Sequence, residues 1–79
     1  YPNPFNPITT IAYEVPFESE IELVIYDIKG RVIETLISDY VEAGINEISW
    51  DASSMASGVY FVKLKTQFGI MTKKIVLMK

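Results

Sequence analysis

Residues 21–37 read IELVIYDIKGRVIETLI, and this stretch decides the fold of the chain. In its first arm, from Ile21 to Ile25, every second residue is a large aliphatic one, the period that is typical of a half-buried β-strand. Asp27 suits the first position of a type I turn, and Gly30 suits the last, where the backbone needs a positive φ. A second apolar arm follows directly. The stretch therefore predicts a β-hairpin with a G1 bulge, whose apolar face other strands must cover.

Turn signals elsewhere in the chain separate more short strands of the same kind. Apolar alternation predicts them over four stretches: residues 8–15, 44–50, 59–65 and 70–78. Residues 38–44 and 51–58 are small or polar and are expected to be loops, and no stretch predicts a helix. About six or seven strands, with turn signals roughly every eight to twelve residues, predict an all-β antiparallel β-sandwich of immunoglobulin-like type. A small open barrel is the alternative architecture.

The phase of each strand also predicts which side chains form the core. Trp50 has the largest apolar surface in the chain and is expected to point inward, and Met55 is expected to close one end of the core from its loop. The faces expected to point inward carry Ile11, Tyr13, Val15, Ile21, Leu23, Ile25, Ile48, Trp50, Tyr60, Val62, Leu64, Met71, Ile75 and Leu77.

The first seven residues differ in composition from the rest. They hold three of the four prolines, and they predict an extended lead-in, anchored by Phe5, ahead of a single domain at residues 8–79. A chain of 79 residues without cysteine is near the lower size limit for a core that folds unaided. Because it begins at Tyr1 without a leader, we expect a module taken from a longer protein. No apolar run approaches the ~20 residues of a membrane span, so we expect a soluble module.

Charge is distributed unevenly along the chain. Residues 1–62 hold all ten acidic residues and two basic ones, a balance of −8, whereas residues 63–79 hold five lysines and no acid, a balance of +5. One interpretation is that basic edge strands beside acidic ones discourage edge-to-edge aggregation. The other is that a partner recognises the basic tail. A nucleic acid is not expected to be that partner, because the net charge is −3.

The amino-acid composition gives little support for a catalytic function. The chain has no histidine and no cysteine, so it lacks the usual general base and the strongest nucleophile, and its isolated glycines form no phosphate-binding loop. We predict no catalytic residue and no cofactor. Asp27, Asp39, Glu42 and Asp51 could supply oxygens to a calcium ion, but their spacing matches no calcium loop. Turn formation and solvated loops are the simpler roles for these acids, so no metal site is predicted.

Exposed aromatic side chains leave a second class of function open. A carbohydrate-binding face needs planar rings on one surface, and the candidates are Tyr1, Tyr26, Tyr40, Phe61 and Phe68. Tyr26 and Phe61 fall on the outward phase of their strands, although cross-strand packing is the more common role of such residues. A carbohydrate-binding or purely structural accessory domain of a secreted enzyme is therefore the alternative function.

Short motifs occur in a characteristic order along the whole chain. They are Tyr1-Pro2-Asn3-Pro4-Phe5-Asn6-Pro7, Thr9-Thr10-Ile11, Tyr26-Asp27-Ile28-Lys29-Gly30-Arg31, Ala43-Gly44, Trp50-Asp51, Ala56-Ser57-Gly58-Val59-Tyr60-Phe61 and Thr72-Lys73-Lys74-Ile75-Val76-Leu77. With them the chain resembles the type A C-terminal sorting domain of the type IX secretion system, the Por secretion tail family of Bacteroidetes and related phyla. It is also similar to the immunoglobulin-like domain of the flagellar hook-capping protein, although residues 51–57 form a shorter loop. Lys29 stands where leucine is common in the family.

The resemblance implies a non-catalytic sandwich that is exported with its parent protein, through the periplasm and across the outer membrane, to the cell surface or the medium. The implied partners are the secretion machinery and a sortase-like peptidase that exchanges the module for a surface anchor. The implied recognition signal is Lys73, Lys74, Ile75, Val76, Leu77 and Lys79. The residues assigned to the fold are Asp27, Gly30, Trp50, Gly58 and Tyr60. A basic edge strand could meet its receptor by strand addition, with main-chain hydrogen bonds giving affinity and lysines giving selectivity.

Overall fold

The computed structural model describes residues 8–78, which form six β-strands. The strands are β1 (Ile8–Val15), β2 (Ser19–Asp27), β3 (Val32–Val41), β4 (Gly44–Asp51), β5 (Gly58–Thr66) and β6 (Gly69–Leu77). Every pairing between them is antiparallel. No helix that could cross a membrane occurs among the described residues. The predicted lead-in with Phe5, and the terminal Lys79, lie outside the described residues.

The strands form two sheets that enclose one core. Four strands form a sheet in the order β3-β2-β5-β6, and β1 pairs with β4 in the second sheet. The core between them consists of Ile11, Val15, Ile21, Leu23, Ile25, Trp50, Ala52, Tyr60, Val62, Leu64 and Leu77. Because two facing sheets surround this core, the predicted all-β immunoglobulin-like sandwich is confirmed, and the open barrel is not adopted.

The hairpin between β2 and β3 has the predicted turn and bulge. The Gly30 N–H donates to the Asp27 carbonyl, and the Asp27 N–H donates to the Arg31 carbonyl, each at 3.0 Å. Gly30 has a φ of 81°, a conformation that L-residues rarely adopt. Asp27 Oδ1 accepts hydrogen bonds of 2.9 Å from the backbone N–H groups of Lys29 and Arg31, and the Arg31 Nε lies 2.7 Å from Oδ2. The Arg31 backbone hydrogen bond is the largest cause that lowers the pKa of Asp27.

Strand β3 is longer than predicted. The prediction of a loop over residues 38–44 is wrong for Ser38 to Val41, because the ladder with β2 continues until Ser19 faces Val41. The connection between β1 and β2 is short, since β1 ends at Val15 and β2 already begins at Ser19. Polar residues can continue this strand because one of its edges and one of its faces are open to water. Two register shifts opposite residues 23–26 add bulges to β3, which increase the local twist.

Trp50 and Tyr60 join the loop after β4 to the core. Their ring centroids lie 5.5 Å apart at an angle of 70°, an edge-to-face contact. The Tyr60 hydroxyl donates a 2.7 Å hydrogen bond to the Ala56 carbonyl, four residues upstream. Met55 is half-buried against the core, as predicted, and its N–H donates to the Ala52 carbonyl at 3.0 Å. These contacts hold the connection between the two sheets in place.

Two residues depart from the burial that strand phase predicts. Met71, predicted to point into the core, is 57% exposed, although its partner Leu64 on β5 is buried. The two-stranded sheet does not cover this part of β6, so an inward phase there does not produce burial. Val24, on the outward phase of β2, is only 2% exposed. Its partners are Thr35 and Lys63, and Lys63 extends its Nζ to 4.8 Å from the ring centroid of Tyr26, so its aliphatic stem lies along this face.

Candidate functional site

The candidate recognition strand, β6, is an edge strand of the four-stranded sheet. It pairs with β5 on one side and with no other strand among the described residues. A two-residue turn leads into it, in which the Phe68 N–H donates to Thr66 Oγ1 at 2.9 Å. Gly69 begins the strand with a φ of 139°. The outer edge of β6 therefore presents backbone N–H and C=O groups that another strand could use.

Alternate residues of β6 have different surroundings. Leu77 is 6% exposed and Ile75 is half-buried against the core, so these two residues hold the strand to the sandwich. Lys74 and Val76 lie on the outward phase and are exposed. Lys73 shares the inward phase with Ile75 and Leu77, yet it is also exposed. The two neighbouring lysines thus project from opposite faces of the strand.

The outer face beside β6 carries an aromatic pair surrounded by lysines. Tyr26 and Phe61 are direct partners on β2 and β5, and Lys74 is the partner of Phe61 on β6. The Nζ atoms of Lys63 and Lys65 lie 4.8 and 5.6 Å from the ring centroid of Tyr26, within cation–π range. This face therefore places cationic groups over its most central ring.

Lys65 differs from the β6 lysines in its electrostatic environment. Its Nζ lies 3.6 Å from Glu22 Oε1. A hydrogen bond with Tyr26 is the largest cause that raises the pKa of Lys65, and Glu22 adds to it. In the described part of the chain, salt bridges join Glu22 to Lys65 and Asp27 to Arg31, and neither Lys73 nor Lys74 forms one. The two β6 lysines thus have no carboxylate partner within residues 8–78.

A groove runs beside the exposed half of β6. Cavities of about 270, 230 and 230 Å³ follow one another between β1 and β6, and Ile11, Leu64 and Met71 are among the residues that line them. Its presence could not be read from the sequence, because it depends on how far one sheet extends over the other. The only local signal was Lys73, a charged residue on an otherwise apolar phase.

The residues assigned to the fold lie away from β6 or beneath it. Asp27 and Gly30 form the hairpin described above, and Trp50 and Tyr60 are buried in the core. Gly58 opens β5 with a φ of 152° and faces Leu77 across the ladder. None of these five residues is exposed on the recognition strand.

The acidic residues considered for calcium do not come together. Among residues 8–78, no group of three acidic side chains is placed so that it could hold a metal ion. Asp27 belongs to the hairpin, Asp39 Oδ1 accepts the Tyr40 N–H at 2.7 Å, and Asp51 Oδ1 accepts the Ser53 N–H at 3.0 Å. These acids therefore serve local backbone geometry.

The aromatic candidates form one neighbouring pair instead of a continuous platform. Tyr26 and Phe61 are adjacent on the outer face, as their strand phase predicts. Tyr40 lies on β3 at the opposite edge, and Phe68 packs against Phe17 with centroids 5.2 Å apart. Tyr1 lies outside the described residues.

Comparison with protein families gives a match along almost the whole chain. Residues 1–78 match the family described as secretion system C-terminal sorting domain. The chain belongs to this family. The predicted resemblance to the type IX sorting domain is therefore confirmed, and the family is one of non-catalytic sorting signals. Comparisons with curated proteins and with solved structures gave no match.

Membership in the family places this chain in protein export. A sorting domain of the type IX system marks its protein for the secretion machinery, and so for export to the outer membrane, the cell surface or the medium. The β-sandwich described above is the fold of this sorting domain.

Proposed function

We propose that this chain is a non-catalytic C-terminal sorting module that directs its parent protein to the type IX secretion machinery, and that β6 is the element the machinery recognises. The observation that carries the proposal is the family match over residues 1–78. The geometry of β6 supports it in a specific way. The strand is an edge, its lysines have no carboxylate partner within the described residues, and its inward residues Ile75 and Leu77 keep it in register with β5.

The recognition residues in this proposal lie within the last seven positions of the sequence and differ in role. Lys73 and Lys74 supply charge on two faces, and the backbone of residues 73–77 supplies hydrogen-bonding groups along one edge. Lys79 extends the basic character beyond the described residues. The proposal also includes the later step, in which a sortase-like peptidase removes the module and exchanges it for a surface anchor.

Export of a reporter tests the proposal. The chain is fused behind a periplasmic reporter in a host that has the type IX system, and the reporter is measured in the medium and on the cell surface. We expect deletion of Lys73 to Lys79 to leave the reporter in the periplasm. Unchanged export after this deletion would rule out β6 as the signal.

A second set of variants separates recognition from folding, because the deletion also removes the buried Leu77. Lys73→Gln with Lys74→Gln changes only exposed side chains, so we expect an unchanged melting temperature and reduced export. Glu34→Gln on the opposite edge strand, β3, is the matched control and should leave export unchanged. Equal export by all three proteins would contradict a role for the lysines.

Carbohydrate binding has one observation in its favour, the adjacent Tyr26 and Phe61. Sugar stacking requires an open ring face. The Nζ atoms of Lys63 and Lys65 lie over the Tyr26 ring, and Phe61 is half-buried, so this pair offers a sugar little free aromatic surface. Retention on polysaccharide columns that is lost in Tyr26→Ala and Phe61→Ala variants would favour this alternative over sorting.

A further inference from the structure

The two sheets of the sandwich are unequal, and the difference leaves a strand-sized space. Four strands face two, and β1 pairs with β4 on one side only among the described residues. The cavities between β1 and β6 place Thr9 to Ile11 near Lys73 to Ile75, and Glu14 with Pro16 near Gly69 to Met71. The groove therefore follows the length of both strands, and β1 and β6 run along it in opposite directions.

Burial along β6 shows where a covering element is missing. On its inward phase, Leu77 is 6% exposed and Ile75 is half-buried, but Lys73 is exposed and Met71 is 57% exposed. The partners of these last two residues on β5, Val62 and Leu64, are buried. The core thus reaches β5 fully and β6 only at one end. A strand placed beside β1 would lie above the uncovered end.

We propose that this groove, defined by the inward faces of β1 and β6, accepts an extended polypeptide segment from a partner protein, with apolar side chains at every second position and a carboxylate that meets Lys73. Such a segment would pair with the edge of β1 that, from Thr9 to Val15, faces no strand among the described residues, and its apolar side chains would fill the cavities above Met71. Charge complementarity places the carboxylate opposite Lys73, which lines two of the three cavities and has no carboxylate partner within the described residues, whereas the acidic Glu14 lies toward the other end of the groove.

This inference rests on the proposed sorting function and specifies the partner's binding element. Recognition of a basic tail in general would treat Lys73 and Lys74 alike, whereas insertion into the groove gives these two adjacent residues different roles. Lys73 lies on the phase that faces the groove and lines two of its three cavities, whereas Lys74 lies on the outward phase, beside Phe61, and borders only the cavity at one end. Insertion at the middle of the groove therefore depends on the charge of Lys73 far more than on that of Lys74. General electrostatic attraction would depend on both equally.

A synthetic peptide tests the groove without knowledge of the natural partner. The probe has nine residues, the length of β6, in which valine alternates with threonine and the middle valine is replaced by aspartate. Its control carries lysine at that position. We expect the aspartate peptide, added to the isotope-labelled chain, to shift the amide resonances of Ala12 and Thr72 and to leave Val32 on β3 unchanged. Absence of binding, or equal shifts on β3, would overturn the proposal.

Charge reversal gives the matched comparison. Lys73→Glu should weaken binding of the aspartate peptide by at least about tenfold and shift the preference to the lysine peptide. Lys74→Glu should change the affinity for either peptide by less than about twofold, since its side chain lies on the outward phase of β6 and stays in water when the groove is filled. Equal effects of the two substitutions would contradict insertion and would indicate attraction to the outer face.

Two further measurements address other occupants of the groove. Sedimentation of the chain alone should show a monomer, and self-association through residues near Ala12 would assign the groove to a second copy and overturn the proposal. Removal of residues 1–7 should leave the peptide affinity unchanged, since proline lacks the N–H that strand pairing uses. Binding that appears only after this removal would assign the groove to the chain's own lead-in.

The peptide-binding test of the groove and the export test of the sorting proposal can fail independently of each other. If the peptide fails to bind while deletion of residues 73–79 still abolishes export, the groove inference is wrong and sorting through β6 stands. If export is unaffected by the deletion, recognition through β6 is ruled out, whatever the peptide does.

Discussion

The hydroxyl of Tyr60 offers a test of how the loop after β4 is fixed. It is the donor of a 2.7 Å hydrogen bond to the Ala56 carbonyl, and the residue is 8% exposed. Tyr60→Phe removes the hydroxyl and keeps the edge-to-face contact with Trp50. A lost hydrogen bond that leaves a part-buried acceptor unpaired costs about 1.5 kcal/mol. We therefore expect the free energy of unfolding to fall by that amount.

The corresponding change in melting temperature follows from the size of the chain. With an unfolding entropy of about 2.1 cal/mol/K per residue, 79 residues give roughly 0.17 kcal/mol/K, so the expected decrease is about 9 °C. Trp50 is the single tryptophan and is 1% exposed, so its fluorescence reports unfolding of the core directly. The 57% exposed Tyr40 supplies the control, and Tyr40→Phe should lower the melting temperature by less than about 3 °C. A decrease of only about 2 °C for Tyr60→Phe, in a two-state transition, would show that the hydrogen bond does not fix the loop.

Three further predictions concern the hairpin and the edge. Hydrogen bonds lower the pKa of Asp27 below its ordinary value of 3.8, so their stabilisation is present above that pH and is lost as the pH falls through the folded-state pKa. Melting curves from pH 2 to 7 should therefore show a larger loss at acid pH for the wild type than for Asp27→Asn, and parallel curves would contradict this. Gly30→Ala should cost about 1 kcal/mol through its φ of 81° alone, since no atom beyond the two adjacent residues lies within 4 Å of the added methyl, and urea unfolding against Lys29→Ala measures it. Lys73→Val with Lys74→Val should cause aggregation visible by light scattering, because uncharged edge strands pair with one another, and a monodisperse double variant would refute that role.

The sequence predicts those parts of the fold that local chemistry controls. The turn from Asp27 to Gly30 follows from side-chain hydrogen bonding and a left-handed glycine, and both are properties of adjacent residues. Strand phase gives the burial of β2 and β5 correctly because both lie inside the four-stranded sheet, with neighbours on each side. Val24 is the exception, because its burial comes from the neighbouring strands, where Thr35 and Lys63 are its partners, and no alternation within β2 can indicate this.

Residues at the sheet edges were harder to predict, for a physical reason. The extent of β3 beyond Ile37 depends on the ladder that β2 offers it, whereas its own residues there are polar. Met71 has the phase of Leu77, and only the width of the opposite sheet makes one exposed and the other buried. The phase of a strand predicts the direction in which a side chain points, whereas burial of that side chain requires another element of the fold on the same side.

Within the proposed signal, some side chains hold the strand to the core and others are displayed to a receptor. Ile75 and Leu77 hold β6 to the core, and Lys73, Lys74 and Val76 make no such contribution. Because the side-chain period of a strand is two, a slip of one residue would turn Lys74 and Val76 inward and expose Ile75 and Leu77. The buried residues therefore determine the face on which each lysine is displayed. A receptor that distinguishes Lys73 from Lys74 would thus respond to the register of β6 as well as to its charge. Because that register depends on the buried residues, such a receptor would bind only a correctly folded sandwich.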